Sequence, residues 1–130
     1  MTYLRIRQFH GCEDTPHVCL ARINGYGATP ITKASIASIT CKVFDLSGAT
    51  PDTASSTPAV VVSSAVYDAL QTDDQWGDED ETGYNFAYTV PATSFPLGDH
   101  YYLIEFMFTP TSGEAFPARF TVYAAPLRGS

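Results

Sequence analysis

Four side chains near the start of the chain are of the types that bind zinc: His10, Cys12, His17 and Cys19. They form His-x-Cys-x4-His-x-Cys around the turn signal Glu13-Asp-Thr-Pro16. Residues two apart share one face of a strand, so a hairpin closing at that turn could gather all four, and tetrahedral zinc accepts two Cys and two His. The spacing departs from the zinc-finger patterns, and the plainer reading is a buried thiol with two loop histidines. No resident metal or cofactor is therefore expected, with zinc at this turn as the alternative.

A second candidate is the acidic run Asp78, Glu79, Asp80, Glu81, which with Thr82 and Gly83 resembles the front half of a calcium loop. The bidentate acid needed at its twelfth position is missing, because Thr89 stands there. Hydrolytic chemistry lacks its usual signatures: there is no Gly-x-Ser-x-Gly, and the three histidines have no motif around them. An exposed carboxylate cluster has no reason to split its pKa values into an acid and a base. These residues point away from an enzyme. Trp76 and the tyrosines Tyr3, Tyr26, Tyr67 and Tyr101 could stack on sugar rings, although such rings more often cap a β core or line a subunit interface.

The elements that must position these residues are strands. Apolar residues recur at every second position in three runs: Tyr84, Phe86, Tyr88 and Val90; Tyr102, Ile104, Phe106 and Phe108; Phe116, Ala118, Phe120 and Val122. Between the last two runs lies the polar loop Pro110-Thr-Ser-Gly-Glu114, which predicts a hairpin. Its register sets Phe108 opposite Phe116, Phe106 opposite Ala118 and Glu105 opposite Arg119. The other face of the second run carries Tyr101, Leu103 and Met107, which implies a cover there, either a helix or a neighbouring subunit.

Earlier in the chain, alternation predicts strands over Tyr3 to Phe9, His17 to Asn24 and Ile39 to Phe44, with one helical turn between Ala28 and Ser35. Residues 49–58 read as an exposed loop, and Ala59 to Ser63 as a short strand. Val66, Ala69 and Leu70 have helical spacing with a serine N-cap before them, predicting a short helix around 64–71. About seven strands and one helix make a single domain, 1–130, of the all-β sandwich class.

Composition bounds the partners. The chain of 130 residues carries net charge -7 with only seven basic residues, too few for a phosphate-binding surface. Five of them (Arg5, Arg7, Arg22, Lys33, Lys42) lie in the first third, and seven of fourteen acids lie between Asp68 and Glu81. The basic end of one subunit could thus meet the acidic loop of the next. No apolar run approaches a membrane span, and the start of the chain lacks a signal peptide's apolar region. Synthesis in a host cytoplasm is the expectation, and there three cysteines are not expected to form disulfides.

Several pieces together, Cys19-Leu-Ala-Arg22, Ser38-Ile-Thr-Cys-Lys-Val-Phe-Asp-Leu46, Val66-Tyr-Asp-Ala-Leu-Gln-Thr-Asp73, Thr82-Gly-Tyr-Asn-Phe86, Val90-Pro-Ala92, Phe95-Pro96 and Phe108-Thr-Pro-Thr-Ser-Gly-Glu114, look like a small family of uncharacterised phage and prophage-type proteins. The likeness runs from about His17 to Val122, and the His/Cys-rich turn departs from it. It implies an immunoglobulin-like antiparallel β-sandwich in a virion. The function expected is then non-enzymatic packing on other virion proteins in a repeated or symmetric assembly, bound to the capsid or built into the neck, tail or baseplate. Neither nucleic acid nor membrane is an expected partner. A carbohydrate or host-surface binding module is the alternative. The contact residues expected are Arg5 and Arg7 at the basic end, Trp76 with Asp78, Glu79, Asp80 and Glu81 in the acidic loop, and the Tyr101, Leu103, Met107 face.

Overall fold

A computed structural model describes residues 2–5, 10–25, 28–73, 76 and 82–127. The chain forms strands β1 (Thr2–Arg5), β2 (His10–Cys12), β3 (His17–Asn24), β4 (Ile36–Asp45), β5 (Ala54–Ser56), β6 (Val66–Gln71), β7 (Tyr84–Val90), β8 (His100–Pro110) and β9 (Phe116–Ala125). Among the described residues one short α-helix, α1 (Val62–Ala65), precedes β6. One sheet has the order β1-β3-β7-β6 and the other β2-β9-β8-β4-β5. This is the immunoglobulin-like sandwich that was expected. The first sheet follows the A-B-E-D order and β9-β8-β4 the G-F-C order, with β5 added at one edge. At the opposite edge β2 runs parallel to β9.

The alternating runs explain why the sheets face each other. Even-numbered residues of β8 and β9 are buried, from Tyr102 to Phe108 and from Phe116 to Ala124. Odd-numbered residues of β3 and β4 bury Cys19, Ala21, Ile23, Ile39, Cys41 and Val43. Phe108 pairs with Phe116, Phe106 with Ala118 and Glu105 with Arg119, the register expected from the sequence. Phe106 sits at the centre, its ring 4.9 Å from that of Phe86 on the opposite sheet and 5.7 Å from Phe120, both edge to face. That geometry suits the ring quadrupoles better than a face-to-face stack.

Tyr102 fixes one corner of the sandwich. Its hydroxyl accepts from the Leu97 amide at 3.2 Å and lies 3.3 Å from the Leu97 carbonyl, the tyrosine-corner arrangement of immunoglobulin domains. In antibody domains the second half-cystine follows two residues later; here that place is Ile104, and Cys12, Cys19 and Cys41 form no disulfide. Packed aromatic rings replace the disulfide in joining the two sheets.

The structure corrects several expectations. Residues 66–71 are strand β6 rather than helix: Val66 is buried opposite Phe86 while Ala69 is exposed. Three apolar residues at helical spacing are a weak signal, and β-branched Val66 and aromatic Tyr67 suit the open edge of β7. The helix is confined to the four residues before it. Ala59 makes only an isolated bridge to Thr40, whereas the polar loop contributes β5. Tyr84 does not join Phe86 and Val90 in the core between the sheets; it packs with Leu20 and Trp76 on the outer side. The cause lies on either side of it. Gly83 adopts a left-handed backbone, and the side chain of Asn85 takes over from the β3–β7 ladder, whose backbone pairing ends at Ala21 and Phe86.

Candidate interaction surface

The outer face of the five-stranded sheet is set by the same alternation that builds the core. Register across β4, β8 and β9 arranges its side chains in rows. Tyr101 and Tyr123 share a row at one end, their ring centroids 5.0 Å apart. Leu46 closes that row through its amide, which donates to the Tyr101 carbonyl at 2.8 Å. Phe44, Leu103 and Thr121 form the next row; Lys42, Glu105 and Arg119 the third; Thr40, Met107 and Pro117 the fourth. Tyr101 is 54% exposed and Leu46 42%, while Phe44, Leu103 and Met107 are half-buried by their neighbours in the sheet. Large apolar side chains gathered on a solvent face mark a site of interaction.

Charge brackets this apolar band. On one side Arg119 donates through Nε to Glu105 Oε2 at 2.8 Å, the cross-strand ion pair expected from the sequence. On the other side Tyr123 donates its hydroxyl to Asp99 Oδ1 at 2.7 Å, and that bond, more than any burial, raises the phenol's pKa. His100 Nδ1 lies 2.9 Å from both carboxylate oxygens of Asp45.

The sequence-predicted contact residues fall into three groups. Tyr101, Leu103 and Met107 share this face. Arg5 lies on β1, whose backbone pairs it with Ala21 at the edge of the other sheet, and Arg7, Asp78, Glu79, Asp80 and Glu81 lie outside the described residues. Trp76 is a correction: it is 1% exposed, wedged against Leu20 and Tyr84 with its ring 5.6 Å from that of Tyr84. An indole offers more apolar area than any other side chain, and the outer side of β3 and β7 needed a cover. The Trp76 amide donates to the Asp73 carbonyl, and Tyr84 donates to Asp73 Oδ2 at 2.7 Å, which ties this part of the acidic loop down. Neither α1 nor any other described element covers the Tyr101, Leu103, Met107 face; α1 packs against β4, β6 and β7.

The four zinc candidates are not gathered by a hairpin. His10 and Cys12 sit on β2 in one sheet, His17 and Cys19 on β3 in the other, so the turn between them crosses sheets instead of closing a hairpin. His17 and Cys19 face the core, and among the described residues no three His, Cys, Asp or Glu side chains gather as a metal site. Burial pushes the Cys41 thiol up to about 12, which leaves it protonated and unreactive at neutral pH. Two open recesses, about 230 Å³ beside Ile31, Ile36 and Phe116 and about 390 Å³ beside Val18, Val61 and Tyr88, are lined by no acid, histidine or cysteine among the described residues.

Burial also lowers the pKa of His17, which packs edge-on to Phe95 at 6.3 Å. The sign follows from linkage. Below the unfolded value of about 6.5 the unfolded chain binds a proton that the folded chain resists. The His17 contribution is therefore complete above that value and is lost as pH falls from it toward the lower folded pKa. Urea unfolding of the wild type should weaken between pH 7.5 and 5 more steeply than that of His17→Gln. Parallel curves would show that His17 is not the source.

Comparison of the chain with protein-family models, with curated proteins and with solved structures returned no match. Sequence reasoning found the β8 members of the surface and missed Phe44, Leu46, Asp99 and Tyr123. The hairpin register already held part of the signal: extended two and four residues from Glu105 and Arg119, it sets Leu103 beside Thr121 and Tyr101 beside Tyr123.

Proposed function

We propose that this chain is a non-enzymatic structural protein of a bacteriophage virion, on the capsid or in the neck, tail or baseplate, and that it works by packing the outer face of its five-stranded sheet on other proteins. The observation that carries the packing is the band of Leu46, Tyr101, Phe44 and Leu103, flanked by charge and covered by no described element, with Met107 on the same face beyond the charged row. Its placement in a virion rests on the family resemblance of the sequence. The acidic balance supports a protein partner over a nucleic acid. A carbohydrate-binding role is weakened because Trp76, the strongest stacking group, is buried against Leu20 and Tyr84.

The test is the protein content of particles. Phage-like particles purified from cells that carry this gene should contain the chain at a fixed ratio to the major capsid protein by quantitative mass spectrometry. Particles assembled in full without it would overturn the proposal.

A further inference from the structure

We infer that a second copy of this chain packs on the same face, in a two-fold dimer whose apolar band is closed at both ends by an ion pair between Asp99 of one copy and Arg119 of the other. This rests on the reading of that face as a packing surface and names its occupant. Along the strands the face is ordered as the acid Asp99, the apolar band, and a row in which Lys42 and Arg119 flank Glu105. Asp99 precedes β8, its amide donating to the Ala124 carbonyl at 2.7 Å and its carboxylate held by Tyr123. Its charge therefore lies over β9, the strand that carries Arg119.

The spacing is symmetric. Asp99 stands three residues before Tyr102 in the chain, and Glu105, the row partner of Arg119, stands three after it. A two-fold axis lying in the interface, perpendicular to the strands at the level of Tyr102, carries each strand onto its own copy in reverse. Such a contact is isologous, with the same patch serving both copies. The operation brings Asp99 to the level of the Glu105–Arg119 pair of the second copy, with its carboxylate on the Arg119 side because Tyr123 holds it toward β9, and sets Tyr123 over Thr121, Leu103 over Tyr101 and Phe44 over Leu46. Large residues meet small ones or other apolar ones, and the ends carry opposite charge. Packed sheets cross at about 30°, an offset that the long Arg119 side chain, 53% exposed, can span. Its bond to Glu105 holds the guanidinium at the rim, where a second carboxylate adds to the network and fixes register.

Sedimentation of the purified chain tests this. The wild type should be a dimer that weakens as salt rises. Arg119→Glu and Asp99→Lys should each raise the dissociation constant at least about tenfold, roughly 1.4 kcal/mol, and the double reversal should recover most of the loss. Asp99 has a left-handed backbone (φ 59) that lysine tolerates poorly. Asp99→Asn, which suits that backbone, should weaken the dimer with an unchanged circular dichroism spectrum. A monomer at every concentration, a dimer indifferent to both single reversals, or a double reversal no better than either single one would each overturn the inference. Particle content separates the two readings. A monomer found in particles removes the dimer alone, and a dimer missing from particles removes the virion role alone.

Discussion

Replacing Phe106 with alanine is expected to lower the unfolding free energy by about 4 kcal/mol, enough to consume much of a small domain's stability. Phe106 is 0% exposed, and its ring meets Phe86, Tyr88 and Phe120, so it touches residues of both sheets at once. With no disulfide between the sheets, this aromatic contact does the joining that a disulfide does in antibody domains. The cavity has little means of closing, because its walls belong to two rigid sheets. Phe106→Leu, which fills most of the space, should cost less than half as much. Urea unfolding measures both, and a loss below about 1 kcal/mol for alanine would refute the central place given to this ring.

Asn85→Ala should cost about 3 kcal/mol by the same measurement. Asn85 is 1% exposed; its Oδ1 accepts from the Ile23 amide at 2.8 Å, and its Nδ2 donates to the carbonyls of Ile23 at 2.9 Å and Ile31 at 3.4 Å. Beyond Ala21 and Phe86 the backbone ladder between β3 and β7 stops, and this amide replaces it while holding the 28–31 segment. Alanine leaves the Ile23 amide buried and unpaired. The near-isosteric Asn85→Asp should be at least as damaging, since a carboxylate keeps the acceptor but faces two carbonyls with no proton to give. Stability unchanged in both variants would mean that the clasp contributes nothing.

The contrast between these two residues shows what the sequence made legible. Phe106 belongs to a period-two run within a hairpin whose turn and opposite charges agree, so local pattern and global packing point the same way. Asn85 is a polar residue in an apolar run. Its role depends on where β3 ends and on a loop more than fifty residues away in the chain, and neither is written in its neighbours. Val66 failed for a related reason: helical spacing over three residues could not compete with the unpaired edge of β7. Trp76 was misplaced because the acids around it suggested solvent, whereas its own area demanded a cover. At the surface, Tyr101, Leu103 and Met107 were visible from alternation alone. Phe44, Leu46 and Asp99 required the β4–β8 register and the corner before β8, which are long-range and invisible to periodicity.

The same register makes the face testable at its centre. Leu103 sits in the middle of the apolar band and points away from the core, so Leu103→Asp should leave folding nearly intact and remove packing. Val61→Asp is the matched control, 59% exposed and away from this face, beside the recess at Tyr67 and Tyr88. The deciding measurement is incorporation of each variant into particles, with folding checked by thermal unfolding. The proposed function predicts that Leu103→Asp folds but is missing from particles while Val61→Asp is incorporated like the wild type. Equal incorporation of the two would contradict it.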